Sequence, residues 1–218
     1  MPVASQASEL ESIYEEYLQA ILQGDRYSGE QAVDRWLAME GNLGQLYERL
    51  FRRALYQVGW LWENGEIAVA TEHLATAITE TMMARVYPRL LTHGPRRGAA
   101  LVACTTDEYH QVGAKMVADL FELHSWHCHF LGAGTRISDY FKVLRERPLD
   151  AVALSAALDF HLDSLYATVL ATRDEFPDLP ILVGGQAFRL RGSERFEAIP
   201  GVIHLKSLPQ LEVWLDAR

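Results

Sequence analysis

Apolar residues in the first ninety positions of the chain recur at the spacing of helix turns. The first run places them three or four residues apart, at Leu10, Ile13, Tyr14, Tyr17, Leu18 and Ile21. The run stops at Gly24 and Asp25, which together are a turn signal. Further helical runs cover roughly residues 28–38, 42–61 and 68–91. Four helices of this length are enough for a compact bundle, which we place at residues 6–93.

The pattern changes after residues 93–98, where glycine and proline interrupt the helical spacing and predict a linker. Short apolar runs typical of buried parallel strands then alternate with helical segments. Strands are predicted at residues 99–104, 126–131, 151–155, 181–185 and 202–205, and helices at about 110–124, 138–146, 162–175, 194–198 and 208–216. This alternation predicts a parallel sheet with helices on both faces. The expected fold class is α + α/β, a four-helix bundle followed by a Rossmann-like (flavodoxin-like) domain at residues 97–217.

The loop after the first predicted strand carries a pattern suited to metal chemistry. Glu108 stands two residues before His110, and Gly113 follows three residues later. Ligands in parallel sheets bind at the carboxyl ends of the strands. A metal-bound histidine usually donates its second ring N–H to a carboxylate, and a glycine lets backbone approach a bulky ligand. The alternative is a helix start with an acidic residue near the helix dipole and a surface histidine.

Two further features fall at the same end of the predicted sheet. Ser155 ends the third strand, with 41 residues (114–154) between it and Gly113. Gly184-Gly185 ends the fourth strand, with 26 residues (158–183) between it and Ala157. Together with the loop pattern they resemble the cobalamin-binding domain of the methionine synthase type, over roughly residues 97–217. That family carries Asp-x-His-x-x-Gly, then Ser-x-Leu, then Gly-Gly, at similar spacings.

The resemblance implies that the chain binds cobalamin. His110 would replace the dimethylbenzimidazole as lower axial ligand of the cobalt, and Ser155 with Gly184 and Gly185 would line the slot for the displaced nucleotide tail. Two positions depart from the family pattern. Glu108 replaces aspartate, which keeps the carboxylate on a longer arm, and Ala157 replaces leucine, which would loosen packing around the tail.

The helical half contains a second pattern, in which nine residues (63–71) separate Trp62 from Glu72 and His73. It resembles the Trp-x9-Glu-His pattern of CarH-type photoreceptors, which are light-responsive regulators that use adenosylcobalamin. The resemblance implies that Trp62 packs over the upper face of the corrin and Glu72 contacts the adenosyl group. His73 would become the upper cobalt ligand after light breaks the cobalt–carbon bond, a role that suits neutral imidazole. Val69 is expected nearby, because positions i, i+3 and i+4 share one helix face; the alternative is a core tryptophan and a solvated helix start.

The remaining histidines are not assigned to a metal site. His124, His127 and His129 are interpreted as surface or core residues rather than as a metal cluster. His161, six residues after Ser155, is expected near the same strand end. Whether it approaches a ligand there or has an ordinary structural role stays open.

Composition narrows the class of function. The net charge of −9 over 218 residues argues against direct nucleic-acid binding, which needs a basic face. No apolar run has membrane-spanning length, and no signal pattern opens the chain. Cys104 and Cys128 form no CxxC pair, which suits a reducing cytoplasm. No nucleophile–base pair or acid–base carboxylate pair stands outside the corrin site, so we expect a sensor or binding module rather than an enzyme.

Two functions stay open. The first is an adenosylcobalamin-dependent light sensor whose upper ligation by His73 changes its association with itself, as a homo-oligomer, or with a transcription regulator or other output protein in trans. The trans output is expected because the MerR-type DNA-binding domain of CarH-type regulators is missing from the sequence. The second is a corrinoid carrier for methyl transfer between methyltransferases, which would leave Trp62, Glu72 and His73 unused. A cobalamin store, a light-independent sensor of the hydroxo or aquo form, and a sensor that also binds a bilin are further alternatives, although no cysteine has an evident bilin-attachment context.

Overall fold

The computed structural model describes residues 3–90, 95–189 and 192–218, with side chains from residue 6 onward. The chain separates into two compact units, Met1–Arg89 and Leu90–Arg218. The predicted linker at 93–98 falls partly outside the described residues, as does the last position of the helix predicted over 68–91.

All regular elements in the described part of the N-terminal unit are helices. Its elements are α1 (Val3–Gln23), α2 (Arg26–Met39), α3 (Leu43–Leu46), a π-helical segment (Tyr47–Arg52), α4 (Arg53–Glu63), α5 (Val69–Val86) and a 3₁₀ turn (Tyr87–Arg89). Because α3, the π-helical segment and α4 follow one another without a break, they form one long helix with a wider turn in its middle. The unit is therefore a four-helix bundle, as predicted. Its first helix begins earlier than the apolar spacing indicates, because residues 3–9 carry few of the apolar side chains that mark a helix face.

Local sequence explains where two of these helices begin. Asp25 accepts a hydrogen bond from the Ser28 backbone N–H at 3.1 Å, and Asn42 accepts one from the Gln45 N–H at 2.9 Å, so each caps a helix N-terminus. The bundle core is fully buried and includes Ile13, Tyr17, Trp36, Leu50, Phe51, Ile78 and Met83. Each such side chain contributes roughly 1.5–3 kcal/mol relative to an exposed one.

The C-terminal unit alternates strands and helices. Its elements are β1 (Gly98–Cys104), α6 (Val112–Leu123), β2 (Trp126–Gly132), α7 (Ile137–Glu146), β3 (Ala151–Ser155), α8 (Leu162–Glu175), β4 (Ile181–Gly184), α9 (Glu194–Glu197), β5 (Val202–His204) and α10 (Leu208–Asp216). All strands pair in parallel in the order β2-β1-β3-β4-β5. This is the flavodoxin-like order, and it confirms the predicted fold class.

The strand order fixes where a ligand site can form. The chain leaves β1 toward β2 on one side, while β3 lies on the other side, so a crevice opens between the loops that follow β1 and β3. The register pairs Cys104 with Ser155 and Ser155 with Gly184, which brings the ends of β1, β3 and β4 level. The loops after these strands therefore meet at one edge of the sheet.

None of the helices within the described ranges is long and apolar enough to span a membrane.

Candidate functional site

His110 lies in the loop between β1 and α6, not in the helix. The sequence predicts a helix from about residue 110, but α6 begins at Val112. A tight turn delays the helix: the Glu108 N–H donates to the Thr105 carbonyl at 3.1 Å, and Asp107 adopts a positive φ of 65°. The Thr105 N–H donates in turn to the Ser155 carbonyl at 3.0 Å, which ties the loop to the end of β3. The His110 side chain is consequently about half exposed, at 53%.

The carboxylate of Glu108 holds this loop to the loop after β3. Its side chain is fully buried, and its two oxygens accept hydrogen bonds from both loops. Oε1 accepts from the His110 backbone N–H at 2.9 Å and from His110 Nδ1 at 2.6 Å. Oε2 accepts from the Ala157 N–H at 2.8 Å, the Leu158 N–H at 3.3 Å and His161 Nδ1 at 2.8 Å. The Glu108 side chain thus joins the loops that follow β1 and β3.

These hydrogen bonds keep Glu108 ionised and set the tautomer of His110. Burial by itself raises the pKa of the Glu108 carboxyl, but the donors from His110, His161 and Ala157 outweigh it and lower the pKa from 4.5 to about 2. An ionised carboxylate can only accept, so His110 donates from Nδ1. In the neutral ring the lone pair then lies on Nε2, the nitrogen that a cobalt ion would bind. The geometry fits a histidine that serves as a metal ligand.

His161 joins this site although its sequence position alone left its role open. It ends the 3₁₀ turn Asp159–His161 and precedes α8, and its side chain is only 12% exposed. The Phe160 ring packs edge-on against it, with 4.3 Å between ring centroids. In the sequence, only its short distance from Ser155 indicated that His161 lies near this strand end. Nothing in the local pattern shows that its ring turns toward Glu108, because that contact joins residues 53 positions apart.

The glycines of the candidate site have two different structural settings. A Cβ built on Gly113 would meet no atom within 4 Å, so this position borders open space. Gly185 has a φ of 116°, and a Cβ there would lie 2.1 Å from the Ala156 carbonyl oxygen; a Cβ on Gly184 would lie 3.0 Å from the Leu205 carbonyl. The turn after β4 therefore needs glycine for close backbone packing, whether or not a nucleotide tail lies beside it.

The residues singled out in the N-terminal unit lie around the turn between α4 and α5. Trp62 is near the end of α4 and 43% exposed, so it is a surface residue rather than a core one. Val69 is exposed at the first position of α5. One turn later, Glu72 accepts a hydrogen bond from the Thr76 hydroxyl at 2.9 Å, while the His73 side chain is 74% exposed. The His73 ring nitrogen Nε2 lies 3.6 Å from the Glu72 carboxylate.

Comparison with known proteins identifies the class of protein to which the chain belongs. Two family models, each described as a B12 binding domain, match residues 13–87 and 98–205. The first covers the helical bundle and the second covers the parallel sheet with the Glu108–His110 loop. The chain is therefore a cobalamin-binding module. The two matches follow one another along the chain and together span most of its length.

The chain is also similar to one curated protein and to one solved structure. The chain is 30% identical over 147 residues to the HTH-type transcriptional repressor CarH of Myxococcus xanthus, and the match covers 66% of this chain and 48% of that protein. The chain thus spans about half the length of this curated relative. The structure of the Methanosarcina barkeri monomethylamine corrinoid protein superposes with a TM-score of 0.79 at 14% identity, covering 95% of this chain and 99% of that one. At that identity the likeness shows the fold alone.

Proposed function

We propose that the chain is a cobalamin-dependent light sensor, with His110 as lower axial ligand of the cobalt. The observation that carries the proposal is the hydrogen-bonded pair of Glu108 and His110. A fully buried, ionised carboxylate holds the Nδ1–H of a half-exposed imidazole and leaves its lone pair on Nε2. A surface histidine without a ligand has no need of such a partner, because water satisfies its ring nitrogens.

The residues around His110 have matching roles in this proposal. Gly113 borders open space one turn beyond the ligand, so the corrin ring can approach the backbone there. Ser155, Gly184 and Gly185 lie at neighbouring strand ends, and we assign to them the wall of the slot for the nucleotide tail. Small side chains at these positions leave room for that tail.

The upper ligands are assigned to the N-terminal unit. Adenosylcobalamin supplies a cobalt–carbon bond that light can break. Trp62 and Val69 offer exposed apolar surface, which suits packing against an adenosyl group. We assign the contact with that group to Glu72, which accepts a hydrogen bond from the Thr76 hydroxyl, and the upper position after illumination to His73. Light would change the contacts of α5 and thereby the association of the chain with itself or with a regulator in trans.

The cellular setting and the output follow the same reasoning. Both cysteines are free thiols in the structure, so we expect the chain to work in a reducing cytoplasm. The relative from Myxococcus xanthus is a transcriptional repressor, and the chain spans about half of it. We therefore expect a regulatory partner rather than a substrate, and no turnover by the chain itself.

The test is the absorption spectrum of the protein loaded with adenosylcobalamin in the dark, before and after green light. The wild type should convert lastingly to a spectrum with two axial histidines. His73→Ala should bind cobalamin and lose that photoproduct, whereas His110→Ala should lose axial nitrogen ligation already in the dark. His127→Ala removes another exposed histidine, on β2, and is the matched control that should behave as wild type.

Each other outcome has a definite meaning. A photoproduct that is indifferent to His73 would refute the upper-ligand assignment and favour a corrinoid methyl carrier or a cobalamin store. Uptake of the aquo or hydroxo form alone would indicate a light-independent sensor. A bilin would reveal itself as visible absorption that persists after cobalamin is removed.

A further inference from the structure

Glu108 is shared by two imidazoles, and only one of them belongs to the motif that identifies the cobalamin site. His110 Nδ1 donates to Oε1 at 2.6 Å and His161 Nδ1 donates to Oε2 at 2.8 Å. We propose that His161 is a positioning residue for the cobalt ligand: its N–H holds the Glu108 carboxylate, and through it sets the orientation and tautomer of His110. The inference rests on the proposed role of His110 in binding cobalamin.

The backbone N–H groups alone hold Oε2 of Glu108 less firmly than they do together with His161. A carboxylate oxygen has about two lone-pair directions. The Leu158 N–H is the most distant of the three donors, at 3.3 Å, whereas the Ala157 N–H and His161 Nδ1 are both at 2.8 Å. His161 is thus one of the two close donors that fix the rotation of the carboxylate. Within the described residues, Ser155 makes no hydrogen bond to Glu108, although it lies at the same strand end.

His161 is itself held firmly enough to position another group. Its backbone N–H donates to the Leu158 carbonyl at 3.0 Å, which closes the 3₁₀ turn. The next residues, Leu162 and Leu165 of α8, are buried in the core beneath the sheet. A ring that is mostly buried and anchored at a helix start loses little entropy when it makes a hydrogen bond. The contact therefore links the rigid start of α8 to the loop that carries the cobalt ligand.

The two hydrogen bonds are coupled through the orientation of one planar carboxylate. Hydrogen bonds to an ionised acceptor are strong, and a donor that fixes Oε2 also fixes the direction in which Oε1 faces His110. Without the N–H of His161 the carboxylate can rotate about its own bond, and the 2.6 Å contact with His110 loses its fixed partner on the far side. His110 then populates other ring orientations and the other tautomer, in which Nε2 carries the proton and cannot bind cobalt.

Three variants separate this role from simple packing. His161→Leu keeps a similar volume and removes the donor, whereas His161→Asn places an amide N–H close to where Nδ1 was. His204→Leu is the matched control, since His204 is a buried histidine of the same unit that pairs with Glu197 at 3.3 Å, away from Glu108. If His161→Leu does not fold, His161→Gln takes its place, because it keeps an amide N–H but displaces it by one carbon.

Two readouts are needed, one with cobalamin and one without. In the electron paramagnetic resonance spectrum of bound cob(II)alamin, an axial nitrogen splits the cobalt lines, and labelling the protein's histidines with ¹⁵N changes this splitting only where a histidine, not the dimethylbenzimidazole of cobalamin, is the ligand. The labelled spectrum therefore counts the molecules that His110 ligates. In the protein without cobalamin, ¹⁵N NMR of the His110 ring reports its tautomer. Loss of a residue that orients a metal ligand typically weakens metal binding by about 10- to 100-fold. We expect His161→Leu to raise the ratio of unligated to ligated cobalamin about tenfold and to mix the His110 tautomers.

The outcomes keep this inference distinct from the proposed function. Restoration by His161→Asn together with wild-type behaviour of His204→Leu would support the positioning role. A His161→Leu protein that matches wild type in both readouts would overturn it. If the wild type shows no axial nitrogen, the proposed role of His110 fails, and the tautomer measurement still decides whether His161 acts on His110.

Discussion

Replacing Glu108 with glutamine should break part of the hydrogen-bond network around His110 while preserving the shape of the side chain. An amide carries one acceptor oxygen and one N–H₂ group, whereas every group facing Glu108 is a donor. If the N–H₂ faces His110, the ring must turn Nδ1 into an acceptor, which puts the proton on Nε2. If it faces the β3 loop instead, the Ala157 N–H loses its acceptor and His161 must change tautomer.

Two independent considerations give the expected loss of unfolding free energy in Glu108→Gln. A carboxyl with a pKa of about 2 in the folded protein and 4.5 in its ordinary state contributes about 3 kcal/mol of stability at neutral pH. Leaving a buried backbone N–H such as that of Ala157 without an acceptor costs about 1–3 kcal/mol. Since glutamine resembles the protonated acid, Glu108→Gln should lower the free energy of unfolding of the C-terminal unit by about 3 kcal/mol.

The stabilisation contributed by Glu108 is expected to fall as the pH is lowered. The pKa of Glu108 is depressed by folding, so its stabilisation is present above its ordinary pKa of 4.5 and is lost as the pH falls through about 2. Wild type should therefore lose stability from about pH 5 downward more steeply than Glu108→Gln. The assay is urea unfolding at several pH values, followed by amide hydrogen exchange in β1 and β3, which reports the C-terminal unit alone.

A matched carboxylate distinguishes the site from burial in general. Glu122 accepts the Cys128 N–H at 2.8 Å and pairs with Arg96 at 2.9 Å in the same unit. Glu122→Gln should also destabilise the unit, but it should keep axial ligation of bound cobalamin. Equal stability of Glu108→Gln and wild type, with the same slope in acid, would refute the reasoning about the buried carboxylate. Loss of axial ligation would show that the amide N–H₂ faces His110, and retained ligation that the amide oxygen does.

Further expectations concern the glycines and a second histidine. Gly113→Val should leave urea unfolding of the cobalamin-free protein within about 1 kcal/mol of wild type, because its Cβ meets open space, and should weaken cobalamin binding measured by titration. Gly185→Ala should destabilise the unit by about 2 kcal/mol or more in the same assay, because its φ is 116° and its Cβ would overlap the Ala156 carbonyl; unchanged stability would contradict the backbone geometry. The carboxylates of Glu212 and Asp216 raise the pKa of His124, so this pairing stabilises below the ordinary pKa of 6.5 and is lost as the pH rises through the folded value. NMR titration should show a lower pKa for His124 in Glu212→Gln, and no change would mean that Glu212 is not the cause.

The sequence determined the order and kind of the elements because each follows from short-range pattern. Apolar spacing predicted the helices of the bundle, and β3, α8 and α10 have the predicted bounds. Strand–helix alternation predicted the parallel sheet, since a crossover between parallel strands needs a helix. The spacing of Glu108, His110 and Gly113 also singled out the loop after β1, because these residues act within one local turn.

Only the tertiary structure shows the contacts between residues that lie far apart in the chain, because no short-range pattern encodes them. The late start of α6 depends on the turn at Asp107, and the tie from Thr105 to Ser155 exists only once β1 and β3 lie side by side. The contact of His161 with Glu108 joins two crossover loops whose distance in the chain carries no periodic signal. A residue pair of this kind is set by strand order and register. The sequence therefore located the proposed cobalt ligand, while only the folded sheet showed which groups hold that histidine in place.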